Sequence, residues 1–257
     1  MNRRQDATAK GAKGAKSGRP GRRDRVVETE IERIERELSE KQTALNNWTP
    51  KTELGRAVKS GKITNIEEIY EKGYKILEPE IVDSLLTLSD HLIQVARTTR
   101  VTSAGRKSSF RAEMLIGNKN GYVGVGTGKD ADRFPAINKA KRNAKLNLVR
   151  VYRGSGSWEE QATEDKHSLP FKVAGRSGSV RVVLMPAPKG TGLAVGKAIK
   201  PVLELAGIKN VWGRTAGRST ISLNFCQAAV DALSQTGKMK ASKDIERKIQ
   251  KETRAQM

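Results

Sequence analysis

The sequence predicts an α+β protein: a helical amino-terminal extension, a β-β-β-α domain and a second, small α/β domain, with basic tails at both ends. Three observations lead there. Apolar residues fall at helical spacing through the first third, alternate over 109–126, and return to helical spacing over 132–148. A polar stretch containing Gly154-Ser155-Gly156-Ser157 separates that unit from a second set of strand and helix patterns. The charge is segmented too: net +7 over 1–25, −5 over 26–96, +10 over 97–151 and +9 over 152–257. The implied order is a basic arm (1–25), a helical extension (26–91), the first domain (92–152), a linker (153–169), the second domain (170–236) and a basic tail (237–257).

The arm sets Lys10, Lys13, Lys16, Arg19, Arg22, Arg23 and Arg25 among Gly and Ala, with no apolar face. It is expected to be disordered until a polyanion orders it. From Val27, the residues Ile31, Ile34 and Leu38 with the pairs Glu32/Arg36 and Glu37/Lys41 predict an amphipathic helix over 27–42. Three shorter helices follow. Thr49-Pro50 reads as a cap and first turn running to Gly61, Asn65 with Glu68 as a capping box closing at Gly73, and Pro79 as the start of a helix presenting Ile81, Leu85, Leu88 and Leu92. Their net negative charge points to protein contacts rather than phosphates.

In the central block Phe110, Ala112, Met114 and Ile116 alternate with Ser109, Arg111, Glu113 and Leu115, the pattern of a half-buried strand. Residues 92–101 supply a helix end and then a strand, joined to it through the loop 102–108, and 117–121 is a hairpin turn into a strand over 122–126. A helix over 132–148 turns Ile137, Ala140, Ala144 and Leu148 inward and leaves Lys139, Lys141, Arg142 and Lys145 for solvent or phosphate. Three antiparallel strands and a basic helix form the core of a double-stranded-RNA-binding domain. In the second unit, 171–174 and 180–185 pair across 175–178, 195–206 is helical to Gly207, 211–212 is a short strand and 223–233 a helix.

Composition restricts function. A net charge of +21 on 257 residues self-repels unless a polyanion screens it, so nucleic acid is the leading partner. The longest apolar run, 182–185, is far below a membrane span, and no early stretch resembles a secretory signal, so a soluble intracellular protein without membrane contacts is expected. One cysteine, Cys226, excludes an intrachain disulfide, and with His91 and His167 it cannot build a zinc cage. No metal or cofactor is expected. Both glycine-rich candidates for phosphate loops fail on spacing. Counting back from Gly196-Lys197 gives Thr191 with Ala198 following, counting back from Gly128-Lys129 gives Val123 with Asp130 following, and Gly190-Thr191-Gly192 would need glycine where Val195 stands. No nucleophile-base pair can be assembled, and 97–151 offers only Glu113, Asp130 and Asp132 to a metal-dependent nuclease. The chain does not read as an enzyme.

RNA contacts are expected first in the small-residue loop with Thr102, Ser103, Gly105, Arg106, Lys107 and Ser108, beside Arg100, where the main chain can approach a phosphate. A second contact is Lys189-Gly190-Thr191-Gly192, either as backbone amides aimed at an anion or as a turn that needs glycine. Lys119, Asn120, Lys129, Lys139, Lys141, Arg142, Lys145, Lys197, Arg214 and Arg218 complete the candidate surface.

The run Gly105-Arg106-Lys107-Ser108-Ser109-Phe110-Arg111-Ala112, then 115–129 from Leu115-Ile116-Gly117-Asn118 to Gly126-Thr127-Gly128-Lys129, then Pro135-Ala136-Ile137, closely resembles the signature of the small-subunit ribosomal protein five family. Met185-Pro186-Ala187-Pro188 through Asn210-Val211-Trp212 is similar to that family's carboxy-terminal domain, and Trp48-Thr49-Pro50-Lys51-Thr52-Glu53-Leu54-Gly55-Arg56 resembles the extension of its archaeal and eukaryotic branch. The likeness covers about 45–235, and departs at Asp132-Arg133, where the family has an acidic then an apolar residue. It implies a two-domain structural protein of the cytoplasmic small ribosomal subunit that binds ribosomal RNA between body and head and supports subunit assembly and decoding accuracy. It also implies small-subunit proteins three, four and eight as neighbours and messenger RNA close by where it enters. The alternative open to the residues alone is a free-standing double-stranded-RNA-binding regulator.

Overall fold

The computed structural model describes residues 43, 45, 47–155 and 166–238. The basic arm, the helix expected at 27–42, the middle of the linker and most of the carboxy-terminal tail lie outside the described residues. The chain divides at 49/50 into two units. In the first, Thr43, Leu45 and Asn47 are helical. The second holds every element that follows.

Its helical section has three short helices. Helix α1 (Glu53–Lys59) is capped by Thr52, whose Oγ1 accepts the Gly55 amide at 3.1 Å. The cap is therefore Thr52 rather than Thr49-Pro50. The Glu78 carboxylate fixes this entry by accepting the amides of Lys51 (2.9 Å) and Thr52 (2.6 Å). Asn65 does precede helix α2 (Ile66–Glu71), but its side chain makes no capping bond. Helix α3 (Pro79–Leu85) opens on proline as expected, yet stops before Leu88 and Leu92. The chain is already strand β1 (Ser89–Thr102) at Ser89, because β1 pairs with β2 (Gly105–Gly117) from Ser89↔Gly117 to Thr102↔Gly105. His91 and Leu92 thus sit on a strand, where the ladder satisfies their backbone, and not at a helix end.

The first sheet has the order β1-β2-β3-β4, all antiparallel, with β3 (Tyr122–Asp130) and the short β4 (Leu148–Arg150). Helix α4 (Arg133–Leu146) crosses it; Leu148, expected on its inner face, belongs to β4 instead. Helix and sheet meet backbone to backbone. Ala136, Ala140 and Ala144 are fully buried, and a Cβ on Gly124, Gly126 or Gly128 would run into their main-chain atoms.

The second sheet has the order β5-β6-β8-β7, built from β5 (Val173–Ser177), β6 (Val180–Pro186), β7 (Leu193–Ala194) and β8 (Val211–Ala216), with β7 parallel to β8. Strand β5 continues through Gly175, expected in the turn, because Gly175 lets Ala228 and Ala232 of helix α6 (Ser222–Ser234) lie directly on it. Strand β8 is longer than the expected two residues. Helix α5 (Lys200–Ala206) starts just ahead of Pro201, not at Val195, since proline lacks the amide that an interior position must donate.

The two sheets share a core. Leu115, Val123 and Val125 of the first, with Val151 just past β4, pack with Val173, Val182 and Leu184 of the second and with Val202, Leu203 and Leu233 of the helices that cover it. This explains a failed expectation. Glu113 and Leu115, read as outward-facing on a half-buried strand, are buried, because the second unit covers that face while α4 covers Ala112 and Met114 on the other. The ends of the expected linker are buried too: Gly154 and Ser168 exchange backbone hydrogen bonds at 2.8 Å, and Leu169 is in the core.

Candidate nucleic-acid interface

Strands β1 and β2 run past the rest of the sheet as a two-stranded ribbon. The segment expected to be a loop over 102–108 is mostly strand: the turn is Ser103-Ala104, followed by Gly105 at φ +108°, a left-handed value that favours glycine. Thr102 Oγ1 donates to the Gly105 carbonyl at 2.9 Å and closes the tip. The Thr98 and Ser109 hydroxyls, 2.9 Å apart, tie the strands lower down.

Residues directly opposite share a face of a sheet, so the register sorts the cations. Arg100 lies opposite Lys107, and Arg111 opposite Lys129, on the face that continues into Glu113 and Leu115. Arg106 lies opposite Val101, and Arg97 opposite Phe110, on the face that continues into Ala112 and helix α4. Arg97, Arg100, Arg106, Lys107 and Ser108 are all exposed. A ribbon about 10 Å wide with cations on both faces can be inserted between two phosphate backbones.

Behind the ribbon, the basic helix is largely engaged with carboxylates. Lys139 pairs with Asp130 at 2.7 Å, and its hydrogen bond, with that of the Ala131 amide, holds the Asp130 carboxyl below the usual range. Lys141 pairs with Asp90 at 2.8 Å and Lys145 with Asp83 at 2.5 Å. The Lys145 side chain is only 14% exposed, so it ties α4 to α3 rather than facing phosphate. Arg142 and Arg133 remain exposed. Arg111 is held at 2.8 Å by Glu113, whose other oxygen accepts from Ser222 at 3.2 Å.

Of the two readings of 189–192, an anion nest or a turn that needs glycine, the hydrogen bonds at Thr191 and Gly192 favour the turn. The Gly192 amide donates to Asn210 Oδ1 at 2.9 Å and that of Thr191 points back to the Pro188 carbonyl, so both are engaged within the protein. Gly190 (φ +88°) and Gly192 (φ +68°) are there for the turn. Lys197, Arg214 and Arg218 are exposed on the second unit.

Lys119 and Asn120, in the turn after β2, face elsewhere. Asn118 Oδ1 accepts the amides of Asn120 (2.8 Å) and Tyr122 (3.0 Å), and the Lys119 amide donates to the Leu205 carbonyl at 2.8 Å, which docks the turn on α5. There Lys119 and Lys189 line an open cavity of about 850 Å³ with Arg153, Lys166, His167, Glu204, Lys209 and Asn210. The sequence reading singled out neither Arg97 and Arg133 nor the cavity residues Arg153, Lys166 and Lys209. The exposed arginines were visible in the charge count of the central block. The cavity cations come from separate loops and have no spacing signal.

A family profile described as "Ribosomal protein S5, N-terminal domain" matches 88–152, and one described as "Ribosomal protein S5, C-terminal domain" matches 175–248. The small ribosomal subunit protein uS5 of Staphylothermus marinus is 50% identical over 202 residues, 78% of this chain and 94% of that protein. The chain belongs to the ribosomal protein S5 family. The uS5 proteins of Methanothermobacter thermautotrophicus (48% over 203 residues; 78% of this chain, 94% of that protein) and Pyrobaculum aerophilum (52% over 193; 75% and 88%) are similar to it as well. S5 proteins are structural and non-enzymatic, and the ribbon, the glycine-on-alanine packing and most of the shared core lie inside the matched stretches, with Leu169 and Val173 between them.

Proposed function

We propose that this S5-family chain, a structural constituent of the small ribosomal subunit, holds ribosomal RNA by inserting the β1–β2 ribbon between phosphate backbones. The observation that carries the reading is the exposure of Arg97, Arg100, Arg106 and Lys107 on both faces of a projecting hairpin, with no ion pair to any of them among the described residues. Lys129, Arg142, Lys197, Arg214 and Arg218 extend the surface as exposed cations. The order β1-β2-β3-α4 supports likening this unit to a double-stranded-RNA-binding domain, a class that reads A-form RNA by shape and backbone. The S5 likeness supports small-subunit proteins three, four and eight as neighbours and messenger RNA close by where it enters. Exposed Tyr74, Leu77 and Phe134 offer apolar surface for the protein contacts.

The test is the salt dependence of binding between the full chain and small-subunit ribosomal RNA. Arg106→Gln with Lys107→Gln removes two cations without touching the core. The slope of log K against log salt is expected to flatten by up to about 1.8, at about 0.9 per duplex phosphate contact. A slope equal to that of the wild type would remove the ribbon from the interface.

A further inference from the structure

We infer that Glu113 is a positioning residue for the ribbon: with a β-bulge at Ile93 it forms an elbow that fixes the direction in which β1 and β2 leave the protein. The inference rests on the ribbon reading above, but it concerns the root of the ribbon and none of the cations at its tip.

Strand β1 carries the bulge. Leu92 lies opposite Met114 and Gln94 opposite Glu113, so β1 takes two steps where β2 takes one, and Ile93 is the extra residue. Strict alternation would put Gln94 with Leu92 on the α4 face. Instead Ile93 packs against the shared core, Gln94 follows it onto the same face to reach Ser222, and Val95 returns to the α4 side. A bulge bends its strand and raises the local twist. This one stands three residues short of Phe110, beyond which β2 has no β3 partner.

Glu113 stands opposite the bulge. It is the only buried carboxylate among the described residues, 2% exposed. Burying a charged group costs more than filling the same space with an apolar one, so its charge supplies direction rather than stability. Its two oxygens hold different partners: Oε1 accepts from Arg111 Nη2 at 2.8 Å, and Oε2 accepts from Ser222 Oγ at 3.2 Å. Ser222 is the first residue of α6, and the same hydroxyl lies 2.9 Å from Gln94 Oε1. One side chain of the second unit thus holds both strands of the ribbon. A negative group also suits the start of α6, whose N-cap Ile221 supplies no side-chain acceptor.

The elbow aims a particular face. From Glu113 and Gln94 the cross-strand pairs on that face run through Arg111 and Ala96, then Ser109 and Thr98, to Lys107 and Arg100. The Arg111 ion pair and the Ser109–Thr98 hydroxyl contact at 2.9 Å brace it on the way. Six strand steps of about 3.3 Å put Lys107 about 20 Å from Glu113, so a tilt of about 10° at the root moves it by about 3.5 Å. That exceeds the length of a hydrogen bond, and a ribbon free to tilt would have to be ordered again by each RNA it meets.

The tilt can be measured in the full chain without RNA. Nitroxide labels at Ala104→Cys, in the ribbon turn, and Ala216→Cys, on β8, are both exposed, and double electron–electron resonance gives the distribution of distances between them. Cys226 is buried, and burial and then the Glu113 charge push its thiol up to about 12, so the introduced pair takes the labels. Glu113→Leu and Ser222→Ala should each broaden the distribution, by about 3.5 Å for a 10° tilt, and Glu113→Gln, which keeps an acceptor for Ser222, should restore part of the narrow form. The Tm of Glu113→Leu should not fall. In the unlabelled chain both variants should bind small-subunit ribosomal RNA about three- to ten-fold more weakly with an unchanged log-salt slope, because every ribbon cation is still present.

Unchanged distributions in both variants overturn the inference. So does a lower Tm for Glu113→Leu with the tip distance unmoved, which would make Glu113 a packing residue only. Where Arg106→Gln with Lys107→Gln flattens the slope, a broadened ribbon with full RNA affinity overturns it as well. An unchanged slope for that ribbon variant would discard the RNA reading instead, and the distances would still decide the elbow.

Discussion

Gly126→Ala isolates the packing that positions the whole interface. Glycines recur every second residue on β3, a step of about 6.6 Å, and alanines every fourth on α4, a step of about 6 Å, so the two series stay in register over three contacts. A Cβ on Gly126 would fall on the Ala144 amide nitrogen and the Ala140 carbonyl oxygen, well inside van der Waals contact. Neither atom can rotate away, so α4 must retreat by about 1 Å to restore ordinary separations. That gap weakens the contacts of Ala136, Ala140 and Met114 together. The cost should lie near the upper end for overpacking, about 3 kcal/mol. For a folded unit of this size that corresponds to a fall in Tm of about 6 to 12 °C. Calorimetry of the full chain, with the urea midpoint as a second measure, reads it directly. Ala140→Gly in the same chain should not rescue stability, because the clash is with backbone and glycine in a helix costs about 1 kcal/mol of its own. A Tm within about 2 °C of wild type, or rescue by Ala140→Gly, would refute the backbone-contact argument.

Lys145→Ala should lower stability by about 1 kcal/mol through loss of the Asp83 pair, and leave the RNA log-salt slope unchanged; a slope flattened by about 0.9 would instead put Lys145 on a phosphate. Alkaline pH should loosen the contact of α2 with the first sheet. Burial pushes the Tyr70 hydroxyl up to about 12 and the Tyr122 hydroxyl higher still, with Arg150 partly opposing both. Since the unfolded chain gives up these protons near 10.0 and the folded chain later, stability should be full below pH 10 and fall as pH rises towards 12. Phenolate absorbance of the native chain should show two late titrations, one removed by Tyr70→Phe and one by Tyr122→Phe; titration of both near 10 would contradict the burial argument.

Period and punctuation in the sequence were enough to place β2, β3, α4 and α6, but not to find β4 or to say how many faces a strand buries. Alternation over 110–116 is the same whether or not a second unit covers Glu113 and Leu115, and only the tertiary fold supplies that cover. Leu88 and Leu92 satisfy helical spacing, yet the pairing of Ser89 with Gly117 decides for a strand, and that partner is far along the chain. Pro201 was a legible stop to any helix running back to Val195, and the Gly124/Gly126/Gly128 repeat was a legible mark of close helix approach. The cavity was not legible at all. Lys119, Arg153, Lys189 and Lys209 lie on four different connections, and the buried link between His167 and Asn210 joins residues with no sequence relation.

Charge shows the same division between what a segment states and what the fold does with it. The extension is acidic and the central block basic, and the sequence assigned the acids to other proteins. In the structure part of that partner is the chain itself: Glu67 meets Arg150 at 3.3 Å, Asp83 meets Lys145 and Asp90 meets Lys141. These pairs neutralise the cations nearest the extension, on α4 and β4. The acidic extension thus satisfies cations of α4 and β4 that would otherwise compete for phosphate, whereas Arg97, Arg100, Arg106 and Lys107 of the ribbon have no ion pair among the described residues.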